Sequence, residues 1–182
     1  MPKLLVLFQS RSADVVNLAE AAAEGARGVR FAEVDLRIFP ASDDTEAGVN
    51  AGARMHRPLE QVEDMAPYDG LILVVGRERD AGDALVRAIG SFAGSLVNKV
   101  GAVLTTAAGA ERSSVLWSVL SPMADRGMIL VPAAFTEEHA GDDPATHALG
   151  RRVAEVIGWV THARSHHHHE QHHHDHSSHH HH

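Results

Sequence analysis

The sequence predicts an α/β fold, a doubly wound parallel sheet of five strands with helices on both faces. Three observations support this prediction. Short aliphatic runs alternate with segments whose apolar residues recur at helical spacing. Residues 71–75 are apolar without interruption, as in strands buried on both faces of a parallel sheet. Finally, 44% of the 182 residues are hydrophobic, which is enough for one core of ordinary domain size.

The predicted elements alternate along the chain as such a sheet requires. Apolar runs predict strands at residues 3–9, 29–38, 71–75, 100–105 and 128–132. Helices are predicted at residues 14–26, 83–92, 113–125 and 144–161, with a helical turn or short helix at 59–65. Polar residues with two glycines predict a loop at 42–57.

Composition and charge exclude several classes of protein. The chain has no cysteine, which rules out disulfides, thiolate metal sites and cysteine nucleophiles. The formal net charge is −8, or about −6 without Glu170 and Asp175 near the C-terminus, so the positive patch that nucleic acid requires is missing. No run approaches the roughly 18 apolar residues of a membrane helix, and the first apolar run is too short for a signal peptide. We therefore expect a cytoplasmic protein without nucleic-acid or membrane partners.

The loops after strands one, three and four form the predicted ligand site. In an open parallel sheet, ligands bind outside the carboxyl ends of the strands, near the point where the strand order reverses. This rule selects residues 10–14, 76–82 and 105–111. Because the sequence has neither a dinucleotide fingerprint nor a P-loop, a mononucleotide is the better candidate ligand.

The first of these loops is a candidate phosphate site. It opens a helix, where free N–H groups and the helix dipole attract an anion. Ser10 and Ser12 add hydroxyl groups, and Arg11 adds a guanidinium. Spacing alone favours a simpler interpretation, in which Ser12 or Asp14 caps the helix.

Several segments carry a resemblance to a known family. They are residues 4–8, 10–15, 23–26 (Ala-Glu-Gly-Ala), 68–72, 98–103, 126–132 and 149–155, which together span most of residues 3–160. In these segments the chain resembles the WrbA-type flavodoxin-like NAD(P)H:quinone oxidoreductases, as a divergent member. The resemblance implies a flavodoxin-like domain over residues 1–164 and a homodimer or homotetramer.

The same resemblance implies the cofactor and the activity. An FMN-binding oxidoreductase would pass electrons from NAD(P)H to a quinone or a similar small-molecule acceptor. Since the flavin itself performs hydride transfer, the resemblance assigns no catalytic acid or base. The residues that match the family's FMN-binding loops are Ser10, Arg11, Ser12, Val15, Arg77, Arg79, Thr105, Thr106, Ala107 and Gly109.

The ligand loops also depart from the family pattern. Asp14 stands where the family has a Thr, His or Asn that helps to hold the FMN phosphate, and like charges repel. The second loop has four charged residues in a row at 77–80, which are typical of a solvated loop or an intersubunit patch. The segment 82–99 is shorter than its counterpart in the family. Asp125 and Arg126 stand where the family has a histidine. These departures support an alternative to the FMN-binding oxidoreductase, a flavodoxin-like domain that has lost FMN and acts as a binding or metal-handling protein through its histidine-rich tail. The hydroxyl groups of Ser10, Ser12, Thr105 and Thr106 favour the oxidoreductase.

The C-terminal residues 165–182 form a histidine-rich tail, which we predict to be flexible. Histidine accounts for 12 of these 18 residues, and imidazole is a ligand that suits Ni²⁺, Zn²⁺ and Cu²⁺. The interrupted runs differ from a plain purification tag and favour a native, metal-binding tail. The predicted ligands are His166, His167, His168, His169, His172, His173, His174 and His176.

Overall fold

Six parallel strands form a single sheet in a computed structural model that describes residues 1–9, 12–39, 56–77, 79–133 and 144–171, without the side chains of 79–81 and 166–171. The strand order is β3-β2-β1-β4-β5-β6. The strands are β1 Lys3–Gln9, β2 Glu33–Ile38, β3 Arg57–Pro58, β4 Gly70–Val75, β5 Val100–Thr105 and β6 Ile129–Leu130. The predicted doubly wound α/β fold is therefore confirmed.

The sheet has six strands, and the predicted number of five is wrong. The additional strand β3 has two residues and pairs with the end of β2, through Arg37 with Arg57 and Ile38 with Pro58. Proline is tolerated there because β3 is an edge strand, where its missing N–H removes no inner ladder bond. So short a strand has no periodicity, and its residues fall in and beside the predicted loop.

Among the described residues, four α-helices and one 3₁₀ turn flank the sheet. They are α1 Ala13–Arg27, the 3₁₀ turn Val62–Met65, α2 Arg79–Ser91, α3 Gly109–Asp125 and α4 Pro144–Gln171. Both α2 and α3 begin four residues before their predicted starts, so the two ligand loops are shorter than expected. The helix α4 extends beyond residue 161 into the histidine-rich segment.

Other boundaries shift for local reasons. The strand β2 starts at Glu33 because the preceding residues form a turn, in which Phe31 has a φ of 68° and Ala32 N–H donates to Val29 O. The predicted strand at 128–132 is reduced to two residues.

The strands alternate their side chains between two cores. Leu4, Val6 and Phe8 of β1 face a core shared with α1 and α4. Leu5 and Leu7 face the other core, with α2, α3 and the 3₁₀ turn. This period of two follows from the pleat, and it fixes the side of the sheet on which each site residue lies.

The helices α1 and α4 cross at backbone contact. A Cβ added to Gly150 would lie 1.9 Å from Ala22 O, and one added to Gly25 would lie 2.1 Å from His147 O. Only glycine allows the two backbones to approach this closely. The crossing lies in the second half of α1, away from its N-terminus.

Candidate functional site

The central strands end beside each other at the point where the strand order reverses. The chain continues from β1 to β2 on one side and later from β4 to β5 on the other, so the reversal lies between β1 and β4. Gln9 pairs in register with Val75, and Val75 pairs with Thr105. These three residues form a row across the carboxyl ends of β1, β4 and β5, and we name this row the carboxyl-edge row.

The side chains of the carboxyl-edge row lie on one side of the sheet. Val75 and Val103 belong to the core that includes α2 and α3, as do Leu5 and Leu7. By alternation along the strands, Gln9 and Thr105 lie on this side too. All three members are buried, and Gln9 and Thr105 are each 6% exposed. Two polar groups are thus buried at the place where an open α/β sheet binds its ligand.

The first loop leads from β1 into α1. Ser12 is the N-cap of α1, and its hydroxyl accepts a hydrogen bond from Asp14 N–H at 3.3 Å. The capping interpretation is therefore confirmed for Ser12. Asp14 is exposed in the first helical turn, whereas the Val15 side chain is fully buried in the core. Ser10 and Arg11 lie outside the described residues.

The second loop contributes one described cation to the carboxyl edge. Arg77 is exposed and follows β4 after the buried Gly76. Arg79 is the first residue of α2, and its side chain lies outside the described part of the chain.

The third loop connects β5 to α3. The Thr105 hydroxyl accepts a hydrogen bond from Ala107 N–H at 3.1 Å, and Thr106 N–H donates to Val75 O at 3.2 Å. Ala107 is buried, and Thr106 is half-buried. Gly109 has a φ of 58°, and an added Cβ would meet nothing within 4 Å, so the backbone here borders open space. The structure thus brings Ser12, Arg77 and the 105–109 loop to the same edge of the sheet.

Gln9 was missed by the sequence prediction, which ends the first strand at this residue without giving it a role. Its Oε1 atom is buried and has no hydrogen-bond partner among the described residues. The signal in the sequence is a lone amide side chain at the end of a continuous apolar strand, in the same alternation as Leu5 and Leu7.

The described groups with clearly shifted pKa values lie at the opposite edge of the sheet. Burial and the hydrogen bond to Asp35 raise the pKa of Tyr68 to about 12. Burial also lowers the pKa of Lys99, whose ammonium donates at 2.6 Å to Ala66 O and to Tyr68 O. Both residues precede the amino ends of β4 and β5, so these shifts reflect packing of the 3₁₀ turn region and not the chemistry of the carboxyl edge.

Arg126 stands where the resemblance places a histidine, and its guanidinium binds the segment that follows α2. Arg126 donates from Nη2 to Phe92 O at 2.5 Å and to Gly94 O at 3.0 Å. Because these bonds close the loop between α2 and β5, Arg126 has a structural role at a position where the resemblance would place a histidine.

The described residues contain no group of three or more His, Asp or Glu side chains that could hold a metal ion. The predicted metal ligands of the histidine-rich tail lie outside the described side chains, so metal binding stays a prediction. Within the described residues, no helix has both the length and the apolar character needed to cross a membrane.

Comparison with solved structures identifies the fold class as flavodoxin-like. Flavodoxin 2 from Bacillus cereus has a TM-score of 0.60 at 17% identity, and the match covers 86% of this chain and 97% of that protein. The flavodoxin-like WrbA-like protein from Agrobacterium tumefaciens has a TM-score of 0.52 at 17% identity, covering 87% and 99%. A flavodoxin from the domain Archaea has a TM-score of 0.58 at 14% identity, covering 86% and 99%.

The likeness is one of fold. No family model matches the sequence. The identities are too low to carry a cofactor or an activity from those proteins to this one. The function must therefore be argued from the residues at the carboxyl edge.

Proposed function

We propose that this chain binds FMN at the carboxyl edge of the sheet and passes electrons from NAD(P)H to a quinone or a similar acceptor. The observation that carries the proposal is the position of the α1 N-terminus and the carboxyl-edge row. Both lie at the carboxyl ends of adjacent strands, at the reversal of strand order where doubly wound sheets bind nucleotides.

The first turn of α1 can hold the FMN phosphate. The first N–H groups of this 15-residue helix have no partners within the helix. They form the positive end of the helix dipole, which attracts an anion. Ser12 satisfies one of these groups, that of Asp14. Arg77 adds positive charge at the same edge. The Asp14 carboxylate is exposed, so water screens its repulsion of the phosphate.

The rest of the edge fits the flavin and its ribityl chain in chemistry. Gln9 offers a buried acceptor, and Thr106 offers a half-buried hydroxyl. At Gly109 the backbone can approach a ligand closely because no side chain intervenes. When bound, FMN supplies hydride and electron transfer, while the protein positions the group and its reaction partners.

The direct test is a fluorescence titration of FMN with the full-length protein. We expect saturable quenching at micromolar protein, and much weaker quenching of riboflavin, which lacks the phosphate. The difference between these two ligands isolates the contribution of the α1 N-terminus. Absence of saturable FMN quenching at these concentrations would refute the proposed cofactor.

The electron donor and the acceptor need a separate measurement. Under anaerobic conditions, NADH or NADPH should bleach the absorbance of the bound flavin, and a quinone should restore it. Bleaching without restoration would contradict the proposed acceptor, and no bleaching would contradict the proposed donor. Neither result alters the conclusion from the FMN titration.

A further inference from the structure

The Gln9 side chain is an unexplained polar group in an apolar setting. It occupies the last position of β1, is 6% exposed, and lies between core residues along its strand and the open carboxyl edge. Its register partner Val75 is apolar. Thr105, the nearest polar member of the carboxyl-edge row, lies two strands away, at about 10 Å by ordinary strand spacing.

The amide acceptor of Gln9 is unsatisfied within the described residues. Oε1 is buried without a partner, whereas the Thr105 hydroxyl, in the same row, accepts from Ala107 N–H. Buried acceptors are nearly always paired, because leaving one unpaired costs free energy. A Met or Leu would fill this position without that free-energy cost, so the stability of the fold does not explain why the side chain is an amide.

We infer that Gln9 is a ligand-binding residue, whose Oε1 accepts a hydrogen bond from an N–H or O–H group of the bound flavin nucleotide. This inference rests on the proposed function and deepens it. FMN has both kinds of donor, an N–H on its ring and hydroxyls on its ribityl chain. Gln9 therefore selects for a ligand that presents a donor to the end of β1, and a ligand with acceptors alone would leave Oε1 unpaired.

The test compares Gln9→Met with wild type in FMN affinity and in urea unfolding. Methionine has a similar length, no hydrogen-bonding amide, and enough flexibility to fill the site. We expect FMN to bind about fivefold more weakly, which corresponds to about 1 kcal/mol. We expect the variant without FMN to be as stable as wild type or more stable, because an unpaired buried acceptor has been removed.

A matched control is Leu7→Met, on the same strand and the same side of the sheet but one step farther from the edge. Its volume is conserved, so FMN affinity should not change. If wild type binds FMN and Gln9→Met binds it equally well, the role of Gln9 is refuted while the proposed function stands. If Gln9→Met loses stability together with affinity, Gln9 is a structural residue and the inference fails. If wild type does not bind FMN, both fail.

Discussion

Replacing Gly150 with alanine tests whether α1 and α4 are held at backbone contact. A methyl group at this position would lie 1.9 Å from Ala22 O, where ordinary contact begins at 3.4 Å, a shortfall of about 1.5 Å. The obstructing atom is a backbone oxygen in the second half of α1, so no side chain can move aside. Relief requires the two helices to separate or to shift along each other.

The expected effect on stability opposes helix propensity. Alanine in a helix interior is favoured over glycine by about 1 kcal/mol, so propensity alone predicts a more stable variant. Overpacking of a core contact costs typically 1–3 kcal/mol, and more where the backbone must move. Because the obstructing atom is backbone, we take the steric cost as about 3 kcal/mol, and subtracting the propensity gain of about 1 kcal/mol leaves an expected net loss of about 2 kcal/mol in the free energy of unfolding, measured by urea unfolding followed by circular dichroism.

The control lies in the same helix. Gly158 is also within α4, but an added Cβ would meet nothing within 4 Å. Gly158→Ala should therefore stabilise the protein by up to about 1 kcal/mol. If Gly150→Ala were as stable as Gly158→Ala, the close crossing of α1 and α4 would be refuted.

Three further predictions concern charge, pH and loop closure. Asp14→Asn should tighten FMN binding roughly fivefold at low salt, since two unit charges 4 Å apart repel by about 1 kcal/mol in water. The gain in affinity should shrink in high salt, and the control Glu24→Gln, at the far end of α1, should show no gain. Tyr68, the only tyrosine, should titrate in ultraviolet absorbance near pH 12 in the folded protein and near 10 when unfolded. Because the folded state holds the Tyr68 proton more tightly, the stabilisation of the fold by this hydroxyl is present below pH 10 and lost as the pH rises toward 12. Tyr68→Phe should remove this pH dependence. A single titration near pH 10 in the folded protein would contradict the buried hydrogen bond. Arg126→Ala should cost about 1–3 kcal/mol through two lost carbonyl bonds, whereas the exposed Arg152→Ala should stay within about 0.5; equal effects would refute a role in loop closure.

The sequence was most informative where strands are buried on both faces. The strand β5 has the predicted bounds, and β4 differs by one residue, because an uninterrupted apolar run has few alternatives to a central strand. The starts of α2 and α3 were missed because Arg79, Asp80 and Gly82 in one, and Gly109 in the other, are typical of loops in local composition. The packing of these helices against the sheet outweighs that preference.

The sequence predicts which loops form the candidate site, but it does not predict all of the residues there. The rule of carboxyl ends selected loops that the structure brings to one edge of the sheet, since the rule depends on strand order and not on particular side chains; ligand binding at that edge stays a prediction. The sequence predicts either phosphate binding or helix capping for Ser12, and the structure establishes the helix cap. Gln9 was not named, because only the register across three strands and the missing partner of Oε1 distinguish it from an ordinary polar strand end.

The flavodoxin-like fold that the resemblance implies is confirmed, whereas the activity that it implies stays a proposal, for a physical reason. Two of the matching segments contain Gly25 and Gly150, and these residues lie at the crossing of α1 and α4. Any chain that packs these helices at backbone contact needs small residues there, whatever it binds. The N-terminus of α1, where we propose that the phosphate binds, begins at Ser12 and Asp14, more than two turns away, and the sequence departs there from the family that it resembles. The residues that allow the crossing and the residues at the carboxyl edge are therefore different, so the packing of α1 and α4 gives no information about FMN affinity, which must be measured.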